Sequence, residues 1–219
     1  MKNARTGLLG GSFNPPHIGH LRLCIELLEQ AELDTIQLIP AHIPPHKKVD
    51  NILPFDMRCA MLEAAIQDHP ELSVNRMERE RTGPSFTFDT LQTSIDRSPD
   101  TNFTFILGDN DLLTMEKWYK GKEIGMLCDL TVAGRSGADP AELDIFINSF
   151  WNVKRHNTGR WDILNGGTVR YFSVPILDIS SSMIRSRWLS GKKIDWLVPQ
   201  TVKVYLESYS QEIRKTWQA

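Results

Sequence analysis

Two histidines three residues apart, His17 and His20, lie in a turn made of Gly10, Gly11, Ser12, Phe13, Asn14, Pro15, Pro16 and Gly19. At that spacing two imidazoles fall on one side of a helical first turn, and neither needs an acidic partner to meet a phosphate. A glycine-rich turn running into a helix presents bare N–H groups beside the positive end of the helix dipole, which is an anion site. Such groups suit phosphoryl-type transfer, because they donate hydrogen bonds where negative charge gathers in the transition state. No nucleophile is required of the protein.

A second anion site is written near the other end of the chain. Ser180, Ser181 and Ser182 precede an amphipathic stretch with Arg185 about one turn in, so an N-cap, hydroxyls, amides and a guanidinium share one place. Between the two sites come weaker signals. Pro44 and Pro45 stiffen a loop that carries His46 and Lys47, cations able to neutralise a polyphosphate. Ser85 is placed to cap a helix and leave the amides of Phe86 and Thr87 open to a carboxylate. Gly108, Asp109 and Asn110 end an apolar run where ribose hydroxyls are commonly bound, and Arg135 ends another, within reach of adenine or phosphates. Trp118 offers a flat face to an electron-poor ring. Arg58 belongs either in the crevice or on a helix surface. His17, His20, His42 and His46 could also be read as a zinc site, but no cysteine or third carboxylate stands at motif spacing, and a divalent ion held by substrate phosphates fits better.

The elements that must position these groups follow from hydrophobic period. Gly7–Leu9 reads as a strand, Leu21–Ala31 as a helix with an apolar stripe, and Thr35–Pro40 as a second strand, which together make a βαβ unit and hence a parallel sheet. Ligands of such sheets sit beyond the carboxyl ends of the strands. A helix over Pro54–Ile66, strands at Leu72–Val74, Asn102–Gly108, Leu127–Arg135 and Val169–Val174, and a C-terminal helix over Pro199–Ile213 covering the sheet complete the pattern. Residues 136–166 break it: Ala141–Phe150 reads as a helix and Asn152–Gly167 as loops or a hairpin, an insertion within one domain spanning 1–219.

With 219 residues, the chain can bury a real core, and 41% hydrophobic with 24% charged residues is globular composition, neither disordered nor membrane-like. The formal charge of -2 argues against a nucleic-acid partner, so positive potential must be local. No apolar run nears the roughly 18 residues of a spanning helix, and the first residues lead straight to a strand, so a cytoplasmic protein without a membrane partner is expected. Cys24, Cys59 and Cys128 are scattered and odd in number, as expected of small buried residues without disulfides.

The string Gly10-Gly11-Ser12-Phe13-Asn14-Pro15-Pro16-His17-Ile18-Gly19-His20 resembles the bacterial nicotinate mononucleotide adenylyltransferases of the H-x-G-H nucleotidyltransferase superfamily. The stretch Ile179-Ser180-Ser181-Ser182-Met183-Ile184-Arg185 is similar to the I-S-S-T-x-I-R motif of the same superfamily, with Ser182 in the Thr position. The resemblance implies a Rossmann-like, doubly wound α/β fold with a mostly parallel sheet and a helical C-terminal cap. It implies transfer of the adenylyl group of ATP to nicotinate mononucleotide, with Mg²⁺ held mainly by the ATP phosphates and no metal ligand from the protein. His17, His20 and Arg185 are then catalytic. Gly10, Ser12, Phe13, Gly19, Lys47, Gly108, Asn110, Arg135 and Ile179–Ser182 join them in binding ATP. Ser85, Phe86, Thr87, Trp118 and His46 take the mononucleotide.

Two departures stand out: Phe86 replaces the Tyr of a Ser-Tyr-Thr segment, and Asn110 stands where the family has Asp, so either Asn110 or Asp109 takes that role. Alternatives from the same sequence are a nicotinamide mononucleotide or pantetheine-phosphate adenylyltransferase, a cytidylyltransferase, or a non-catalytic nucleotide sensor. A homo-oligomer is left open.

Overall fold

The computed structural model describes residues 4–45, 51–134, 137, 139–157 and 159–218; His46, Lys47 and Arg135 lie outside that set. In chain order the strands are β1 (Arg5–Gly11), β2 (Thr35–Pro40), β3 (Leu72–Val74), β4 (Asn102–Gly108), β5 (Asp129–Gly134), β6 (Val153–Asn157), β7 (Arg160–Ile163) and β8 (Thr168–Ser173). They form a sheet in the order β3-β2-β1-β4-β5-β8-β7-β6. Pairings β1–β4, β4–β5 and β5–β8 are parallel, while β6–β7 and β7–β8 are antiparallel. The helices are α1 (Ile18–Gln30), α2 (Phe55–Ile66), α3 (Thr87–Arg97), α4 (Asp109–Leu113), α5 (Gly121–Leu127), α6 (Pro140–Phe150), α7 (Ser181–Leu189), α8 (Gln200–Ser208) and α9 (Ser210–Trp217). This is the doubly wound α/β arrangement that the βαβ pattern implies.

The chain divides into two compact units. One comprises Met1–Gly10, Ile25–Ile36 and Phe86–Ile176; the other comprises Gly11–Cys24, Gln37–Ser85 and Leu177–Ala219. In the first, β4 is buried from Phe103 to Gly108, the near-continuous apolar run of a strand covered on both faces. The stretch 136–166 adds α6 and the β6–β7 hairpin to the sheet edge. Asp139 caps α6 by accepting from the Ala141 amide at 2.8 Å, and Pro140 starts the helix. Buried Trp151 and Trp161 each satisfy the indole N–H, on the Lys122 carbonyl and the Asp144 carboxylate, both at 2.8 Å.

In the second unit the core is helix on helix. Met57 and Met61 of α2, Ile184 and Trp188 of α7, Val202 and Leu206 of α8, and Ile213 and Trp217 of α9 pack together with Leu53, Ile194 and Val198. Trp188 and Trp217 meet edge to face at 5.4 Å, with the Arg214 guanidinium over Trp188.

Several expectations need correction. The C-terminal segment is two helices broken at Tyr209, not one, and its apolar residues pack on α2 and α7. Strand β5 begins at Asp129, because Leu127 still closes α5. Cys24 and Cys59 are buried, but Cys128 is only half-buried.

Burial pushes the Cys24 thiol from 9.0 up to about 12. Above pH 9 the unfolded chain loses this proton and the folded chain keeps it, so stability should fall as pH rises toward 12. Urea unfolding at pH 8 and pH 10 should show wild type losing about 1.4 kcal/mol relative to Cys24→Ala over that interval. An unchanged difference would mean that the thiol ionises freely in the folded protein.

Candidate functional site

The turn between β1 and α1 is organised by Asn14, which is buried. Its Nδ2 donates to the Asn51 carbonyl at 2.7 Å, and its Oδ1 accepts from the Leu53 amide and the Trp217 Nε1, each at 3.2 Å. One amide side chain thus ties the turn to the segment before α2 and to α9. Two consecutive backbone carbonyls here are claimed by α7: Arg185 Nη1 donates to the Asn14 carbonyl and Ser181 Oγ to the Pro15 carbonyl, both at 2.8 Å. The amide of Ile18, first residue of α1, donates to the Leu197 carbonyl at 3.0 Å. The two ends of the chain are therefore joined at this turn.

The imidazoles are set against one another. The rings of His17 and His20 stack with centroids 3.6 Å apart, and Phe13 meets His20 edge-on at 5.0 Å. The His17 amide donates to His20 Nδ1 at 3.2 Å. An Nδ1 that accepts leaves the proton of the neutral ring on Nε2, so His20 presents an N–H donor at its far side. Gly19 is needed here for space, because a Cβ on it would come within 3.0 Å of His17 Nδ1. Gly11 serves the same end, since a Cβ there would meet the Phe13 ring at 3.0 Å; Phe13 itself holds a φ of 45°.

Amides in this turn are less available than its glycines suggest. Those of His17 and Ile18 are already spent on His20 and Leu197, so the anion site rests on side chains more than on orphan N–H groups. At α7 the expected cap is present, with Ser180 Oγ accepting from the Met183 amide at 3.2 Å. Arg185 Nη2 donates to Ser182 Oγ at 3.1 Å, which leaves the Ser182 hydroxyl hydrogen for another acceptor. Burial lowers the pKa of Arg185, which remains a cation with two of its five donors committed to neutral acceptors.

Arg58 fits neither of its expected places. It is 1% exposed, and donates to the carbonyls of Leu53, Ser12 and Ala41 at 2.8–2.9 Å. One planar fork so ties the end of β1 to the end of β2. Ser85 is not the cap of α3: Phe86 takes that position without a side-chain bond, and Ser85 Oγ accepts from the amides of His42 and Ile43 at 2.9 and 3.1 Å. The Ser85 amide donates to the Ile43 carbonyl, which draws this residue to the loop after β2 and away from the helix. Buried Glu78 accepts from the His42 amide as well, at 3.1 Å.

The other unit carries the remaining assignments: Gly10, Phe86, Thr87, Gly108, Asn110 and Trp118. Asp109 is fully buried and raises, with burial itself, the pKa of Tyr171, whereas Asn110 is exposed at the start of α4. Of the two, only Asn110 faces solvent. Trp118 is half-buried and meets Phe105 edge to face at 6.3 Å. Its neighbour Tyr119 lies 4.7 Å from the Phe86 ring, and Lys120 sits 4.2 Å over Phe88. The Phe86 segment and the Trp118 segment are thus brought together through Tyr119, Lys120 and Phe88. Among the described residues no group of three or more His, Cys, Asp or Glu side chains could hold a metal ion.

A turn with two imidazoles, a serine-capped helix with an inward arginine, and a mostly parallel sheet define a nucleotidyltransferase. The model of the cytidylyltransferase-like family matches residues 8–187, and the chain belongs to that family. Within it, the chain is one of the nicotinate-nucleotide adenylyltransferases. It is 36% identical over 205 residues to the Bacillus subtilis enzyme of that name, covering 93% of this chain and 95% of the relative. A Geobacter sulfurreducens protein named as a probable enzyme of the same kind is 35% identical over 209 residues, covering 92% and 95%. The nicotinic acid mononucleotide adenylyltransferase of Plasmodium falciparum, solved in complex with NaAD, has the same fold: TM-score 0.74 at 17% identity, covering 95% and 97%.

Asn14→Ala would leave the Asn51 carbonyl, the Leu53 amide and the Trp217 indole N–H without their partner, so urea unfolding should show a loss of about 3 kcal/mol or more. A loss under about 0.5 kcal/mol, the size of an ordinary surface substitution, would remove Asn14 from this role. Gly19→Ala should displace the His17 ring and lower kcat by about tenfold or more at little cost in folding, as even a 1 Å misplacement can do.

Proposed function

We propose that the chain transfers the adenylyl group of ATP to nicotinate mononucleotide, giving deamido-NAD and pyrophosphate. A phosphate oxygen of the mononucleotide forms a bond to the α-phosphorus of ATP, and the bond from that phosphorus to the bridging oxygen breaks as pyrophosphate leaves with its charge. The observation that carries this reading is the junction of the His17–His20 turn with Arg185 and Ser182 inside one compact unit. Family membership supports the choice of substrates.

His17 and Arg185 are assigned to the charge that builds around the α-phosphate. His20, through its Nε2–H, and the Ser180–Ser182 turn are assigned to the triphosphate, with Ser12, Phe13, Gly19 and Ile179 shaping that contact. All of these act by alignment and charge stabilisation, the main demands of such transfers. Lys47 and Arg135 are further candidates for ATP, and His46 for the mononucleotide, on sequence grounds. Asn110 is assigned to ribose by its exposure, with Gly10 and Gly108 beside the nucleotide. Trp118 is assigned to the pyridine ring, and the Ser85–Phe86–Thr87 segment to the carboxylate.

Imidazoles, hydroxyls and a guanidinium do not make an oxygen cage, so Mg²⁺ would arrive on the ATP phosphates and supply charge neutralisation there. The whole chain is read as a single nucleotidyltransferase domain, acting in the cytoplasm without a nucleic-acid or membrane partner. No helix among the described residues is long and apolar enough to cross a membrane.

Pyrophosphate release measured with nicotinate and nicotinamide mononucleotides side by side should favour the nicotinate substrate; equal or reversed rates would refute the assigned specificity. His17→Ala should lower kcat by about 10²-fold or more with modest change in KM. Trp118→Ala should raise KM for the mononucleotide by about tenfold while KM for ATP stays near wild type.

A further inference from the structure

The loop between α7 and α8, none of whose residues is assigned to the reaction, presents an anomaly. Trp196 is 90% exposed and holds a φ of 65°. The Leu197 amide donates to the Ile194 carbonyl at 3.1 Å, so Trp196 occupies the third position of a tight turn. At a positive φ that position ordinarily goes to Gly or Asn, and a bulky residue there is an outlier that asks for a function. The turn is fixed on both sides. Ile194 and Val198 are buried, Lys203 pairs with Asp195 at 2.5 Å, and the Leu197 carbonyl holds the Ile18 amide. The indole is thus held out into solvent by a rigid frame.

Beside it lies a cavity of about 650 Å³, within the size of small-molecule sites. Arg187, Lys193 and Lys203 line it against the single carboxylate of Asp195. Arg187 is aimed by Nε and Nη2 bonds to the Lys193 carbonyl, at 3.2 and 3.0 Å, a neutral acceptor that leaves its charge uncompensated. A flat indole with an excess of two cations in a concave site matches a heteroaromatic ring that bears phosphate. The pocket is the size of one nucleotide and has one aromatic platform, unlike the extended basic groove of a nucleic-acid binder. Its lysines also argue against the core of a protein interface, where lysine is depleted.

We propose that this pocket binds a nucleotide, with the base stacked on Trp196 and the phosphates between Arg187 and Lys193, as a site separate from the His17 turn. The test is photoaffinity labelling of the full chain with 8-azido-ADP followed by tryptic mapping. Label should appear on the peptide Ile194–Lys203, and ADP should suppress it better than adenosine or inorganic pyrophosphate alone. Lys193→Glu and Trp196→Ala should each cut that label by about tenfold, the scale of one lost stacking or charge contact, whereas Trp196→Phe should keep most of it. Pyrophosphate release at saturating substrates should stay near wild type in all three. Label confined to peptides around His17 or Arg185, label undiminished in Lys193→Glu, or a Trp196-dependent dimer with no ADP-suppressible label would overturn the proposal.

Discussion

The constraint on which the structure around the His17–His20 turn depends is the capture of two consecutive backbone carbonyls, Asn14 and Pro15, by Arg185 and Ser181. Hydrogen bonds that link residues 166 and 171 positions apart close a very long loop, and their formation must be offset by what they fix. Here the offset is supplied by the helical core around Trp188, Trp217 and Met61, which brings α7 and α9 to the turn. The Trp217 indole on Asn14 joins that core to the turn through one side chain.

Much of the turn's polarity is turned inward. Arg58 spends its donors on three carbonyls, Asn14 is satisfied on both ends of its amide, and the first amides of α1 are taken by protein groups. Buried polar groups with full partners are rigid, and under the proposed function a rigid frame would let His20 and Arg185 meet charge without reorganising. Arg185 is the exception: a half-buried cation bonded to two neutral oxygens, whose charge would be worth more against an anion that replaced water.

Hydrophobic period made the fold legible, because strands β1, β4 and β5 are buried along most of their length and read as apolar runs, and the turn residues punctuate them. The imidazole pair and the serine cap were legible for the same reason: their spacing is local. What was not legible depends on distance in sequence. Arg58 could not be read as a strut between two strand ends, since nothing near it names Ser12 or Ala41 as its acceptors. Ser85 looked like a cap because its local sequence permits one, but a tertiary bond to the loop after β2 prevails. Asn14 looked like a turn residue, and only the folded chain shows that it holds both the segment before α2 and α9. That Asp109 is buried and Asn110 exposed likewise could not be read from a run of polar residues.

The central claim, that His20 and Arg185 act on one bound polyphosphate, is tested most directly by a double-mutant cycle on kcat/KM for ATP with His20→Ala, Arg185→Gln and the pair. Joint action predicts a coupling energy of about 1 kcal/mol or more, as for residues sharing one network. Effects that add to within about 0.3 kcal/mol, the behaviour of independent sites, would contradict it.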